Sequence, residues 1–135
     1  MELKYQKKAT IRSSAVLTGS YVAATVVGPE GLAPDIDPVN NNQLGLLVNF
    51  TIGDLTSAEL KVEFSDDGST YYQETASSVS GDTSTETLVE HSFASTGNYR
   101  LLIPIVDRYI KVSVKGTGTV TSSLMDLEAI IGVRP

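Results

Sequence analysis

The single histidine of the chain, His91, has the side chain best suited to acid–base chemistry, because imidazole changes charge near neutral pH. A general base also needs a placed partner and a reason for a tuned pKa. The flanking residues Glu90 and Ser92 belong to no catalytic motif. The serine-rich stretches Ser77–Ser80 and Ser122–Ser123 have no matched base and acid of the kind found in a triad. We therefore interpret His91 as a polar strand residue and expect no catalytic residue and no enzyme activity.

The run Asp66-Asp67-Gly68 places two carboxylates beside a glycine, and oxygen ligands of this kind suit calcium. The run lacks the further ligands and the spacing of the D-x-[DN]-x-[DN]-G calcium loop. Asp and Gly are frequent in hairpin turns for conformational reasons alone. We interpret the run as a hairpin turn between two strands and expect no metal site.

Tyr71 and Tyr72 form an aromatic pair on which a sugar could stack. Adjacent strand residues point to opposite faces of a sheet, so at most one of the two rings is exposed on a given face. The chain also has no Trp, the residue that sugar platforms use most often. Glycan binding is therefore possible but has no motif behind it. Gly116-Thr117-Gly118 precedes a predicted strand rather than a helix, so it is no phosphate loop, and we expect no cofactor.

The elements that must position these residues show a period of two. In Leu60–Ser65 and in Tyr109–Lys115, apolar residues alternate with polar ones, which is typical of half-buried strands. Turn signals such as Ser80-Gly81-Asp82 and Thr96-Gly97-Asn98 separate the runs at short intervals. The pattern predicts an all-β fold, an antiparallel two-sheet β-sandwich of about eight strands that resembles a jelly roll.

Composition limits the function further. The chain of 135 residues is 41% hydrophobic, which supports one folded core. Its longest apolar runs, such as Leu44–Val48, are far shorter than a membrane span. The basic start of the chain is not followed by an apolar stretch, so we expect no secretory signal and no membrane partner. The chain has no cysteine, which excludes disulfides and thiolate metal sites.

Charge is distributed unevenly along the chain, although the net charge is only −6. Residues 1–12 carry four basic side chains against one acidic side chain, whereas Lys61 is the one Lys or Arg within residues 13–99. We divide the chain into a basic N-terminal arm, residues 1–12, and a single sandwich domain, residues 13–135. The basic residues are few and are not interleaved with aromatic ones, so we expect no nucleic-acid partner. The alternative for the arm is a solvated terminus without a partner.

The segment Gly28–Gln43 has the least regular pattern in the chain. It is too long for a tight hairpin and too poor in apolar residues for a strand. A loop of this length in a compact domain is usually functional or disordered. Together with the arm, it provides our candidate partner-binding residues, which are Lys4, Lys7, Lys8, Arg12, Pro34, Asn40, Asn41 and Asn42.

Two stretches resemble structural proteins of tailed bacteriophages. Residues Ala58–Gln73, with the sequence AELKVEFSDDGSTYYQ, resemble a recurring hairpin of these proteins. Residues Arg108–Ala129, with the sequence RYIKVSVKGTGTVTSSLMDLEA, look like their closing pair of strands. The resemblance implies a β-sandwich virion protein of the capsid decoration, or cement, type. The matching residues are strands and turns, so no binding site can be transferred from the family.

The resemblance also implies partners and a location. A decoration protein binds the major capsid protein and further copies of itself, as a dimer or trimer, and lies on the capsid surface of a virion assembled in the host cytoplasm. A tail or fibre component and a carbohydrate-binding sandwich stay open as alternatives. A structural protein should present an apolar or charged patch for assembly. A sugar-binding module should present a concave site with an exposed ring and convergent polar groups.

Overall fold

A computed structural model describes residues 5–28, 43–105 and 107–133 of the chain. This part of the chain contains eleven strands and no helix, and hence no helix long and apolar enough to cross a membrane. The strands are β1 (Tyr5–Ala15), β2 (Val22–Ala23), β3 (Gln43–Thr51), β4 (Leu55–Ser65), β5 (Tyr72–Gln73), β6 (Thr75–Ser80), β7 (Thr83–Leu88), β8 (His91–Phe93), β9 (Gly97–Pro104), β10 (Tyr109–Gly118) and β11 (Leu124–Val133).

The order of pairing is that of a hairpin rolled into two sheets. Strands from the start of the chain pair with strands from its end in nested order: β1 with β11, β2 with β10, β3 with β9, and β4 with β8, all antiparallel. The first sheet has the order β1-β11-β3-β9, and the second has the order β2-β10-β4-β5, with β8 also on β4. This nesting defines a jelly roll. The predicted antiparallel jelly-roll sandwich is confirmed.

The strand count exceeds the predicted eight for a local reason. Eight positions form the roll, and the last position of the second sheet is shared by two short strands, β5 and β8. Between them the chain leaves the sandwich to form a separate two-stranded sheet, β6–β7. This β6–β7 hairpin is an insertion into the jelly roll and takes no part in either sheet.

The core lies between the two sheets and follows the predicted alternation. Leu60 and Val62 of β4 and Val112 of β10 are fully buried, while Lys61 and Lys111 between them face outwards and are half-buried. Burying one such aliphatic side chain contributes about 1.5–3 kcal/mol. The first sheet contributes the alternating buried residues of β3 and β11, which are Leu44, Leu46, Val48, Phe50, Met125, Leu127, Ala129 and Ile131.

The described part of the basic N-terminal segment lies within the strand β1. Residues from Tyr5 onwards pair with β11 at the edge of the first sheet. Ile11 is buried in the core at 3% exposure, while its neighbours Thr10 and Arg12 are less buried. The boundary that we drew after residue 12 therefore falls inside β1. The physical reason for the strand is that Ile11 is buried between two less buried neighbours. In the sequence, the many basic residues of this segment hide that alternation.

The sequence Asp66-Asp67-Gly68 does form the turn of a hairpin, because β4 and β5 pair on either side of it. The carboxylate of Asp67 accepts hydrogen bonds from the backbone N–H groups of Ser69 and Thr70. Gly68 has a φ of +79° and lies directly over the ring of Tyr109. The carboxylate therefore stabilises the turn, and the predicted hairpin is confirmed.

Candidate functional site

The candidate residues of the basic segment engage the sandwich itself. The ammonium group of Lys8 lies 3.1 Å from the Glu128 carboxylate on the neighbouring strand β11. The Arg12 guanidinium donates hydrogen bonds to the backbone oxygens of Met125 and Val16. Burial lowers the pKa of Arg12, which stays charged at any physiological pH. Lys8 thus remains available at an exposed surface, whereas Arg12 has a structural role at the end of β1.

The other candidate residues lie mostly outside the described part of the chain. Lys4 is outside it, and Lys7 is described only by its backbone, which is opposite Ile131 in β11. The loop residues are outside it as well, namely Pro34, Asn40, Asn41 and Asn42. Their role in partner binding stays a prediction.

The outer face of the first sheet carries a groove with a volume of about 320 Å³. The strand register aligns Glu128, Leu47 and Arg100 in one row across β11, β3 and β9. The next row is Asp126, Asn49 and Asn98, in which the Asn49 amide donates to the Asp126 carboxylate at 2.6 Å. The groove lies over these two rows. Its floor is apolar at Leu47, and its rim is polar and charged.

Arg100 is the basic side chain of this groove. Its guanidinium lies over Gly45, so that a Cβ at position 45 would be 3.3 Å from a guanidinium nitrogen. Gly45 therefore leaves room for the long side chain to lie along the sheet. Within the described residues, Arg100 has neither an ion pair nor a hydrogen bond from its side chain, while the nearby Glu128 is paired with Lys8. The guanidinium is exposed and available to a carboxylate of another molecule.

The outer face of the second sheet carries rings that lysines cover. The ammonium groups of Lys61 and Lys115 lie 4.7 and 4.9 Å from the centre of the Tyr21 ring, and Lys111 lies 4.2 Å from that of Tyr71. These are cation–π contacts. A sugar that stacked on either ring would compete with an ammonium group already there. The aromatic residues of this face therefore serve to hold lysines in place.

The phenol of Tyr21 also fixes this face to the chain that precedes β8. Its hydroxyl hydrogen-bonds to the Glu90 carboxylate. Burial raises the pKa of Tyr21 first, and the bond to Glu90 raises it further, so the phenol stays protonated. Burial likewise raises the pKa of Tyr71. Tyr72, the first residue of β5, directly follows Tyr71 and is 69% exposed.

The β6–β7 hairpin projects from the edge of the second sheet. All twelve residues of its two strands are exposed, including Val79 at 74% and Leu88 at 62%. Six residues per strand give it a length of roughly 20 Å. Its charged residues are Asp82 and Glu86, with no basic residue. The hairpin is thus an acidic, ordered projection with two apolar side chains in solvent.

His91 lies at the base of this projection and not in a catalytic arrangement. Its Nε2 lies 3.0 Å from Oε1 of Glu74, the residue that precedes β6. Ser92, the next residue, contacts Glu59 instead, at 3.5 Å. In the described parts of the chain, no three His, Cys, Asp or Glu side chains are grouped as metal ligands. The pair acts as a structural link between β8 and the start of the hairpin.

The sequence alone identified neither the exposed β6–β7 hairpin nor the groove on the first sheet. The sequence predicts a turn at Ser80-Gly81-Asp82, but the flanking residues are polar on both faces, so they lack the alternation that reveals a half-buried strand. The groove was missed because its residues meet only through the register of three strands. A cue was nevertheless present: Arg100 directly precedes the largely apolar run Leu101–Ile105 within the edge strand β9.

Comparison with known proteins gives similarity of fold only. No protein-family model matches the chain, and no curated protein matches it in sequence. It is similar to a chain in the structure of infectious bursal disease virus, Gx strain, at 10% identity and a TM-score of 0.51. That alignment covers 96% of this chain and 32% of the viral one, so this chain spans about a third of its length. It is also similar to a protein from Bacillus endospore appendages, described as disulfide-linked pili, at 11% identity and a TM-score of 0.46, with 97% and 88% of the two chains covered.

Proposed function

We propose that this chain is a structural protein of a virion, and specifically a capsid decoration protein of a tailed phage that binds and stabilises the shell. The observation that carries the proposal is the β6–β7 hairpin. Ordering a residue costs about 1–2 kcal/mol in backbone entropy, and a lone two-stranded hairpin is at best marginally stable in water. Every residue of β6 and β7 is exposed, so the hairpin buries little against the described part of its own chain to offset that cost. Contact with another molecule would offset it.

The fold is consistent with this role. Jelly rolls build viral capsid domains, and the similar chain of higher TM-score comes from a virus structure. This support is analogy at the level of fold, since one fold serves many functions. The sequence resemblance of Ala58–Gln73 and Arg108–Ala129 to tailed-phage structural proteins adds the more specific assignment. These stretches form β4–β5 and β10–β11 of the sandwich.

The proposed partners are the major capsid protein and further copies of this chain, on the surface of a virion assembled in the host cytoplasm. Lys8, exposed at the edge of the first sheet, is the described residue of the basic segment that suits an acidic shell surface. Exposed ion pairs such as Lys8–Glu128 contribute only about 0–1 kcal/mol, so Lys8 exchanges partners at little cost. Many modest contacts of this kind, repeated by symmetry, give strong attachment.

The decisive experiment is co-sedimentation of the purified protein with mature shells that lack it, from the virus that encodes the chain. Saturable binding at a fixed ratio to the major capsid protein is the expected result. The absence of binding by folded protein would contradict decoration and move the protein to the tail or fibre, where a glycan screen would be the next step.

A charge-reversal pair tests the basic segment. The double variant K7E/K8E should weaken attachment, and more strongly at low salt than at high salt, because exposed charges are screened beyond about 10 Å at 0.1 M salt. The matched control K111E/K115E makes the same change in net charge on the outer face of the second sheet. Equal weakening by both variants would mean that only net charge matters. Unchanged attachment of K7E/K8E would exclude the segment.

A further inference from the structure

The two faces of the β6–β7 hairpin differ in chemistry. Residues paired directly across the two strands lie on the same face. One face consists of small and hydroxyl-bearing residues, namely Ala76, Ser78, Ser80, Thr83, Thr85 and Thr87. The other face, called here the adhesive face, contains both exposed apolar residues and the central acid; its members are Thr75, Ser77, Val79, Ser84, Glu86 and Leu88.

The groove on the outer face of the first sheet has the complementary chemistry. Leu47 provides an apolar floor, and Leu102, one residue pair along β9, is 64% exposed. Arg100 adds a guanidinium that has no ion pair within the described residues. The projection therefore presents one acid beside two apolar side chains, and the groove presents a guanidinium without an ion pair beside apolar side chains. The acids on the same two rows, Glu128 and Asp126, are bound by Lys8 and by the Asn49 amide.

The hairpin does not occupy the groove of its own chain. All of its residues are exposed, and Arg100 is exposed as well. Among contacts between strands, β6 and β7 approach each other and no other strand closely. Among the described residues, no strand of the sandwich covers the adhesive face, which leaves it accessible to another molecule.

We propose that the adhesive face of one copy docks into the groove of a second copy, with Glu86 of the first facing Arg100 of the second. A guanidinium and a carboxylate can form two parallel hydrogen bonds, which fixes orientation as well as adding energy. Leu88 and Val79 lie on either side of Glu86 on the same face and contact the apolar residues beside Arg100. This inference rests on the proposed assembly role, and it specifies which surfaces two copies would use to contact each other.

The contact is heterologous, because it joins two different surfaces of the same chain. Each copy offers one hairpin and one groove, so repetition of the contact produces a closed ring or an extended row. A hairpin face of roughly 20 by 10 Å buries roughly 400 Å² in total, well below a standard interface. A single contact is therefore weak, and it becomes stable only when a shell or a ring holds the copies together.

The absence of cysteine in the sequence allows a direct test by disulfide trapping. Single-cysteine proteins E86C and R100C, carrying tags of different mass, are mixed at high concentration and oxidised. A disulfide between them forms only between two molecules, and we expect this mixed dimer to dominate over either homodimer. The matched control is T85C mixed with R100C, since Thr85 is the neighbour of Glu86 on the opposite face of the hairpin. Equal trapping by T85C and E86C, or trapping by neither, would overturn the contact.

A charge exchange provides a second readout. E86R and R100E should each lower self-association, measured by light scattering at high protein concentration, by about 10-fold, and an equimolar mixture of the two should restore it. A mixture that stays as weak as the single variants would overturn the proposal.

Trapping and co-sedimentation separate this inference from the proposed function. Loss of trapping with normal shell binding removes the contact between copies and leaves decoration intact. Normal trapping without shell binding removes decoration and leaves the contact. The thermal unfolding of each variant must match that of the parent protein, so that neither result reflects a misfolded hairpin.

Discussion

Glu74 Oε1 lies 3.0 Å from Nε2 of His91 and connects the start of the β6–β7 hairpin to β8. The backbone reinforces this link from both sides. The N–H of Glu74 donates to the Val62 oxygen of β4, and the N–H of Val89, just after the hairpin, donates to the Glu74 oxygen, each at 2.9 Å. The two ends of the projection are therefore held together at one point on the second sheet, beyond which the hairpin has only its own ladder.

We predict that H91A loosens the base of the hairpin and leaves the sandwich unchanged. A partly exposed hydrogen bond of this kind contributes about 0.5–1 kcal/mol, so the amide of Val89 should exchange with solvent about 2–5 times faster. The amide of Val112 in the core should keep its rate. Hydrogen exchange followed by NMR measures both. S92A, which changes the next residue of β8, is the control; equal acceleration in H91A and S92A would contradict the role given to the pair.

The parts of the fold that the sequence predicted are those with one buried face. In β4 and β10 every second residue enters the core, so the alternation of Leu60 with Lys61 directly reflects the structure. The jelly-roll order itself was expected only from the number of strands, since pairing between distant strands leaves no local pattern. The nested register that establishes it joins residues more than one hundred positions apart, such as Ala9 and Ala129.

The candidate site was predicted less well, and the reasons are physical. A cluster of basic residues in a sequence indicates a solvated terminus. In the structure, however, Ile11 of the same segment is buried. The adhesive face is invisible in the sequence, because a hairpin exposed on both faces has no apolar alternation. Arg100 forms part of the groove only because the strand register places Gly45 and Leu47 next to it, and this register cannot be read from the sequence.

A second prediction concerns a buried hydroxyl that connects the segment after β1 to the segment before β11. Ser123 is fully buried; its Oγ accepts the N–H of Leu17 at 3.1 Å and donates to the oxygen of Val120. S123A leaves that N–H buried without a partner, so we expect a loss of about 1–3 kcal/mol in the free energy of unfolding. S122A is the matched control, since Ser122 forms similar bonds to Asp54 at an exposed position. Chemical denaturation should show a clearly smaller loss for S122A; equal losses would contradict the role of burial.

A third prediction concerns the acid stability of the β4–β5 turn. Hydrogen bonds from the N–H groups of Thr70 and Ser69 and the hydroxyl of Ser65 hold the pKa of Asp67 below its usual range. A depressed carboxyl pKa stabilises the fold above the unfolded pKa, and this contribution disappears as the pH falls through the folded pKa. The parent protein should therefore lose more stability than D67N between about pH 7 and about pH 2.5. D66N is the matched variant at the neighbouring position; a D67N protein that declines as much as the parent would contradict the assignment.

A fourth prediction uses two glycines with nearly equal backbone angles to ask whether the hairpin belongs to the cooperative fold. Gly53 has a φ of +57° and Gly81 a φ of +61°, so alanine at either position incurs the left-handed penalty of about 1–2 kcal/mol. A Cβ at Gly53 would also lie 2.5 Å from the backbone oxygen of Ser122, whereas a Cβ at Gly81 meets nothing within 4 Å. G53A should lower the global free energy of unfolding by more than about 2 kcal/mol. G81A should leave it unchanged and accelerate amide exchange only within β6 and β7, because the hairpin buries nothing against the sandwich. A global loss in G81A similar to that in G53A would show that the projection is coupled to the core.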